Sequence, residues 1–278
     1  MKKIIWIASY PKSGNTLIRA MLASFFYNKK RKFELEQLNF IRNYIEEDKF
    51  KILINSSKKV SNFKNLSFVS KYWSQIQQNI STNCKNNFIF LKTHHANIKV
   101  DNNEFIDPKY SKAIIYIVRD PRDIIISLSK FKSIDLKKAY KFMFESNAFG
   151  AFYTKYKIIE YISTWNKHYQ SWATYNKVPI ICVRFEDLIS NKFSKFVEIL
   201  SFLKSHSDFN LDLDKVKNII KETSFDNLRN KEIKYGFEEA SKNSLFFRVG
   251  KINQWKEDEI NKKLYDKIKK HLKQTPYY

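Results

Sequence analysis

The stretch that most constrains the fold runs from residue 3 to residue 26. Lys3-Ile4-Ile5-Trp6-Ile7-Ala8 is a short, apolar, β-branched run and predicts a buried strand. Ser9-Tyr10-Pro11-Lys12-Ser13-Gly14-Asn15-Thr16 breaks it with turn-forming residues. From Leu17 to Phe26, good helix formers follow with apolar positions at helical spacing. A strand, a tight loop carrying Lys, Ser, Gly and Thr, and a helix start together make an anion site. Loop and helix N-terminal N–H groups converge on one spot, and Lys12 adds a full charge. The plainer reading of the same residues is an ordinary βα turn.

A chain of 278 residues can bury a sizeable core. Its 43% hydrophobic and 16% aromatic content fits a packed globular protein and argues against disorder. The formal net charge of +23 admits a nucleic-acid or membrane-surface binder. No long Lys/Arg block occurs, however, and the basic residues are interleaved with Asn, Phe and Tyr, so a solvated lysine-rich surface is the favoured reading. Cys84 and Cys182 have no metal or redox spacing, and Cys182, within an apolar run, is expected to be buried. A reducing cytoplasm is the expected location, since nothing points to a disulfide scaffold. The N-terminal apolar run ends by Ala8, too short for a signal peptide, and no stretch approaches the roughly 18 apolar residues of a membrane helix.

Three further strands are expected at 87–92, 113–118 and 178–185, with helices at 122–131, 158–175 and 188–203. Additional helices are expected at 33–47, 69–80 and 257–273. Near-continuous apolar strands alternating with helices predict a parallel sheet covered on both faces, in one domain spanning 1–278. Ligands of such sheets sit outside the carboxyl ends of the strands. Lys12, Lys92 with His94, and Arg119 each stand at or just past such an end, so the architecture itself gathers them. Two lysines and an arginine make a polyanion cradle. A histidine among cations is disfavoured from charging, which keeps it neutral and able to take a proton. The bland alternative for His94 is a strand-end histidine with a backbone partner.

Lys12 precedes Gly14 and no glycine opens the loop, so the nucleotide-binding pattern Gly-x-x-x-x-Gly-Lys-Ser/Thr is not met. Strand three ends in Arg119-Asp120-Pro121, which favours phosphate binding by cations over binding through a metal. Two other readings stay open on the residues alone: a Mg-dependent nucleotide kinase of related fold, and a basic nucleic-acid-binding module.

Six segments, in order, resemble sulfotransferases that use 3′-phosphoadenosine-5′-phosphosulfate (PAPS). Tyr10 to Thr16 looks like their 5′-phosphosulfate loop, and Tyr116 to Ser127 their 3′-phosphate segment, Arg-to-Ser spacing included. Leu91-Lys92-Thr93-His94 is similar to the segment of the catalytic base, and Arg184 to Leu188 to a Tyr-Glu-Asp-Leu element. Thr223 to Leu228 resembles an adenine-contacting stretch; Phe247-Arg248-Val249-Gly250 with Trp255-Lys256 resembles a C-terminal phosphate loop. The resemblance implies a three-layer α/β/α, P-loop nucleotide-hydrolase-like fold and transfer of a sulfuryl group from PAPS to an acceptor hydroxyl or amine, leaving adenosine 3′,5′-bisphosphate (PAP). It implies His94 as general base, with Lys12 and Lys92 stabilising the transferring group. The implied donor-binding residues are Pro11, Lys12, Ser13, Gly14, Asn15, Thr16, Arg119, Ser127, Thr223, Phe225, Leu228, Phe247, Arg248 and Gly250. No metal is implied. The acceptor is expected to be a small molecule, glycan or lipid, with no nucleic-acid partner, and homo-oligomerisation is allowed.

This chain departs from the family pattern at Leu17, where Trp often stacks on adenine, at Val249, where Lys contacts phosphate, and at Phe185, where Tyr stands. Phe225 and Lys251 are the expected substitutes for the first two. His95 is expected to be structural, and Trp165, His168 and Trp172 to be core. Tyr153 and Tyr156 are candidates for an acceptor loop.

Overall fold

The computed structural model describes residues 2–28, 32–46, 49–51, 55, 63–146, 149–150, 158–241, 244–258 and 261–278. Tyr153 and Tyr156 lie outside the described residues. In chain order the elements are β1 (Ile4–Ser9), α1 (Asn15–Phe26), a 3₁₀ turn (Leu35–Phe40), α2 (Leu66–Ser70), α3 (Trp73–Asn83) and β2 (Ile89–Thr93). The short strands β3 (Lys99–Val100) and β4 (Asn103–Glu104) precede β5 (Ser111–Val118), α4 (Pro121–Lys132) and α5 (Leu136–Tyr140). Then come β6 (Phe149–Gly150), β7 (Glu160–Tyr161), α6 (Trp165–Ala173), β8 (Ile180–Arg184), α7 (Phe185–Ser190) and α8 (Lys192–Lys204). The chain continues through α9 (Leu213–Glu222), α10 (Phe225–Tyr235), a 3₁₀ turn (Gln254–Glu257) and α11 (Lys262–Lys269).

The central sheet has the order β2-β1-β5-β8 and every pairing in it is parallel. β1 lies between β2 and β5, with Trp6 opposite Leu91 on one side and Ile114 on the other. Side chains alternate across a strand, and β1 shows the consequence. Ile4, Trp6 and Ala8 join a core with Trp73, Ile76, Trp165 and Trp172 on one face. Ile5 and Ile7 join Ile18, Leu22, Phe196, Ile199 and Leu200 on the other. The three-layer α/β/α arrangement with a central parallel sheet is therefore present.

Several expected boundaries move. The helix expected over 33–47 is reduced to the 3₁₀ turn, after which Asn43 pairs with Lys92 and Tyr44 N–H donates to the Lys92 carbonyl at 2.8 Å. This segment extends the free edge of β2. The helix expected over 158–175 begins only at Trp165, because Glu160 and Tyr161 form a strand and Ser163 takes a left-handed φ of 68°. The 69–80 and 188–203 segments each resolve into two helices, the second broken at Asn191, whose side chain caps α8 by accepting from Ser194 N–H. The C-terminal helix is shorter than expected, and Cys182 is exposed, not buried, because β8 is a sheet edge. Among the described residues no helix is long and apolar enough to cross a membrane.

Candidate active site

The loop between β1 and α1 is shaped by two left-handed residues, Lys12 at φ 69° and Gly14 at φ 100°. A Cβ on Gly14 would run into the ring of Phe185, so the position needs glycine for space as well as for φ. Asn15 locks the loop onto its strand by donating from Nδ2 to the Ile7 carbonyl and to Ser9 Oγ, both at 3.1 Å. The loop borders a cavity of about 810 Å³ at the carboxyl ends of the strands.

Lys12, Lys92, Arg119 and Arg248 all line that cavity, as do His94, Ser127, Pro11, Gly14, Asn15 and Thr16. Phe225, Leu228, Phe247 and Gly250 line it too, with Leu17 beside them. The Phe225 ring packs so closely on Gly250 that a side chain there would collide with it. Two of the expected residues stand apart. Thr223 is buried and its hydroxyl donates to the Ile219 carbonyl at 2.7 Å, closing α9 without reaching the cavity. Ser13 is buried behind the loop, its hydroxyl unpartnered among the described residues. Lys251 reaches the site only through its carbonyl, which accepts from Arg119 at 3.2 Å, so it does not replace the charge missing at Val249.

His94 is held from three sides. Its Nδ1 lies 2.7 Å from the Ser9 carbonyl. A carbonyl only accepts, so Nδ1 carries the proton and Nε2 is the lone-pair nitrogen. The His94 N–H donates to buried Glu160 at 2.8 Å, and its carbonyl accepts from His168 Nε2 at 3.2 Å. Burial, then the Lys92 charge, pull the His94 imidazole down to about 3, so it is neutral at pH 7. His95 and His168 are structural, as expected: His95 stacks on Phe105 and His168 is buried beside Tyr116.

The cations are equally constrained. Lys12 Nζ lies 4.2 Å and 3.9 Å from the ring centroids of Phe131 and Phe246, and burial with the nearby Arg119 charge lowers it to about 7. Arg119 spans the cleft floor, donating to the Lys12 carbonyl and the Lys251 carbonyl, 3.8 Å from Asp123 and stacked 4.4 Å over Phe185. Phe185 thus packs its ring against both Gly14 and Arg119. Arg119 Nε is buried and has no hydrogen-bond partner among the described residues.

Sequence reasoning missed other lining residues. Asn39, Arg42, Asn43 and Glu46 reach the cavity because 42–44 pairs alongside Lys92. Arg19 and Glu239 meet there across 220 residues of sequence, and no local spacing foretells that contact. Among the described residues no cluster of three or more His, Cys, Asp or Glu side chains is arranged to hold a metal ion.

The site is thus a cation-lined cleft at the carboxyl edge of a parallel α/β sheet, with a neutral histidine among the cations. The family model for the sulfotransferase domain matches residues 2–276, and the chain belongs to that family. It is 25% identical over 286 residues to a flavonol 4′-sulfotransferase of Flaveria chlorifolia, covering 98% of this chain and 79% of that protein. To an amine sulfotransferase of Oryctolagus cuniculus it is 26% identical over 160 residues, 53% of this chain and only half of that protein. Its fold is shared with retinol dehydratase in a complex with retinol and PAP, at TM-score 0.60, 17% identity and coverage of 99% of this chain and 83% of that one. A mouse sulfotransferase complexed with PAP gives TM-score 0.59 at 16% identity, covering 99% and 87%.

Proposed function

We propose that the chain, as one domain spanning 1–278, is a PAPS-dependent sulfotransferase acting on a hydroxyl or amine of a small-molecule, glycan or lipid acceptor, in the cytoplasm. The observation that carries this is the pairing of a neutral His94, its Nδ1–H tied to the Ser9 carbonyl, with Lys12, Lys92, Arg119 and Arg248 around one cavity. The residues fit the donor: Lys12, Lys92, Arg119 and Arg248 bring positive charge to one cavity for its phosphates, and the apolar Leu17, Phe225 and Leu228 offer a wall for a base.

PAPS, when bound, supplies an already activated sulfuryl group, so the protein's work is positioning and charge stabilisation. Arg119, Ser127 and Arg248 hold the 3′-phosphate, Arg as a planar fork suited to phosphate. Lys12 and the N–H groups of the α1 N-terminus take up charge that builds on the leaving 5′-phosphate. Lys92 stabilises the transferring group. His94 Nε2 accepts the proton of the attacking hydroxyl or amine, work worth roughly 10²–10⁴ in rate.

Isothermal titration with PAP tests the reading. PAP should bind without Mg²⁺, and Lys12→Ala should weaken it about tenfold or more by removing one charge-assisted contact. A strict requirement for ATP with Mg²⁺ would replace it with the kinase reading. Transfer of label from PAPS to a component of a cell extract, followed by mass spectrometry, identifies the acceptor.

A further inference from the structure

One corner of the cleft already holds an anion, and that anion is the protein's own. Glu239 lies in a turn between α10 and the Phe246–Gly250 segment. One carboxylate oxygen meets Arg19 Nη1 at 2.5 Å; the other accepts from Thr16 Oγ1 at 3.2 Å and from Lys92 Nζ at 3.3 Å. The three donors come from the α1 N-terminus, the α1 body and the end of β2. Arg19 is set for this contact independently of Glu239, because its Nε donates to the Ile41 carbonyl and its Nη2 to the Leu38 carbonyl. That leaves Nη1 aimed into the cavity from a side chain only 4% exposed. Burial alone would raise the Glu239 carboxyl, but Lys92 and Arg19 outweigh it and keep the group ionised.

A buried arginine beside a half-buried lysine cannot be left without an anion cheaply. Glu239 satisfies them, yet it does so beside the β1–α1 loop itself. A second anion brought to the same donors would meet the carboxylate at like-charge contact, so the two exclude each other. We propose that Glu239 is an internal place-holder on the Arg19–Thr16–Lys92 corner, which the sulfonate end of the donor displaces. This rests on the reading of the cleft as a PAPS site.

Its consequence is that only molecules with Glu239 withdrawn are competent, which weakens the apparent donor affinity by that fraction. Glu239→Gln keeps the size but removes the charge, and its single amide oxygen cannot accept from all three donors. PAPS titrated calorimetrically should bind this variant about tenfold more tightly than the native protein. PAP, which lacks the sulfonate, should gain less. Equal or weaker PAPS binding overturns the proposal, and an equal gain for both nucleotides puts the 5′-phosphate in the corner and overturns it also. If neither protein binds PAP or PAPS, the donor reading falls and this inference falls with it. Glu239→Ala serves as the second variant, and a chain that folds with neither makes Glu239 a structural ion-pair partner instead.

Discussion

At His94 the hydrogen bond to the Ser9 carbonyl decides the chemistry, since it fixes which nitrogen can accept a proton. Replacing His94 with Ala should lower kcat by roughly 10²–10⁴ while leaving PAP affinity within about twofold, because the phosphate-binding cations are untouched. Titration calorimetry alongside turnover checks the split, and an unchanged kcat removes His94 from the role of base. The pH dependence has a definite sign. A base must be deprotonated, and a pKa lowered to about 3 keeps His94 neutral through the acid range, so kcat/KM should show no loss on lowering pH from 8 through 6.5 to 5. Lys12 acts at the other end. With its pKa at about 7 in the free protein, it loses its proton as pH rises through neutrality, so PAP should bind more weakly at pH 9 than at pH 6 and take up a proton on binding near pH 8. Titrations in buffers of different ionisation enthalpy measure that uptake; none at pH 8 would contradict the burial of Lys12 between Phe131 and Phe246.

The strand–loop–helix unit of β1 and α1 depends on a residue from the far end of the sheet, since Phe185 of α7 packs under Gly14. Gly14→Ala adds both a left-handed penalty of about 1–2 kcal/mol for a non-glycine residue and an overpacking cost of about 1–3 kcal/mol. A thermal melt should therefore show a clearly lowered Tm, and Gly14→Ala combined with Phe185→Leu should recover part of it; no recovery would place the cost in φ alone. Much of this unit was legible in advance. β1 and β5 announce themselves as apolar runs because a central parallel strand is buried on both faces, β2 and β8 are shorter apolar runs at the sheet edges, and the ends of β1, β2 and β5 gather Lys12, His94 and Arg119. Helix limits were less legible where one residue decided them: the left-handed Ser163 cuts the 158–175 helix short, and Asn191 splits another by capping its second half. The pairing of 42–44 with Lys92 was hidden because Arg42-Asn43-Tyr44 has no strand-like alternation and owes its extended form to the open edge of β2. Glu239 was equally silent, one acidic residue in a turn whose partners lie 147 to 223 positions away.

Across the whole molecule the formal charge of +23 acts differently from the charges inside the cleft. Arg119 is buried and Lys12 half-buried between aromatic rings, so salt screens their contact with a bound anion little. Exposed lysines act at longer range. Lys130 is exposed and lines the cavity, and half-buried Lys192 lines it too. The surface field should therefore set the arrival rate of a polyanion, and the buried cations its residence. In stopped-flow measurements, raising salt from 50 to 500 mM should lower the PAP association rate by about tenfold while changing the dissociation rate by less than about threefold. Lys130→Gln should reproduce part of the loss in association at low salt and none of it at high salt, whereas Lys12→Ala should act on dissociation at both. A salt effect confined to dissociation would move the functional charge from the surface to the cleft. A loss of affinity of 10³ or more between 50 and 200 mM salt would instead match multiple phosphate contacts along a nucleic acid, and would require the basic surface to be a binding face in its own right.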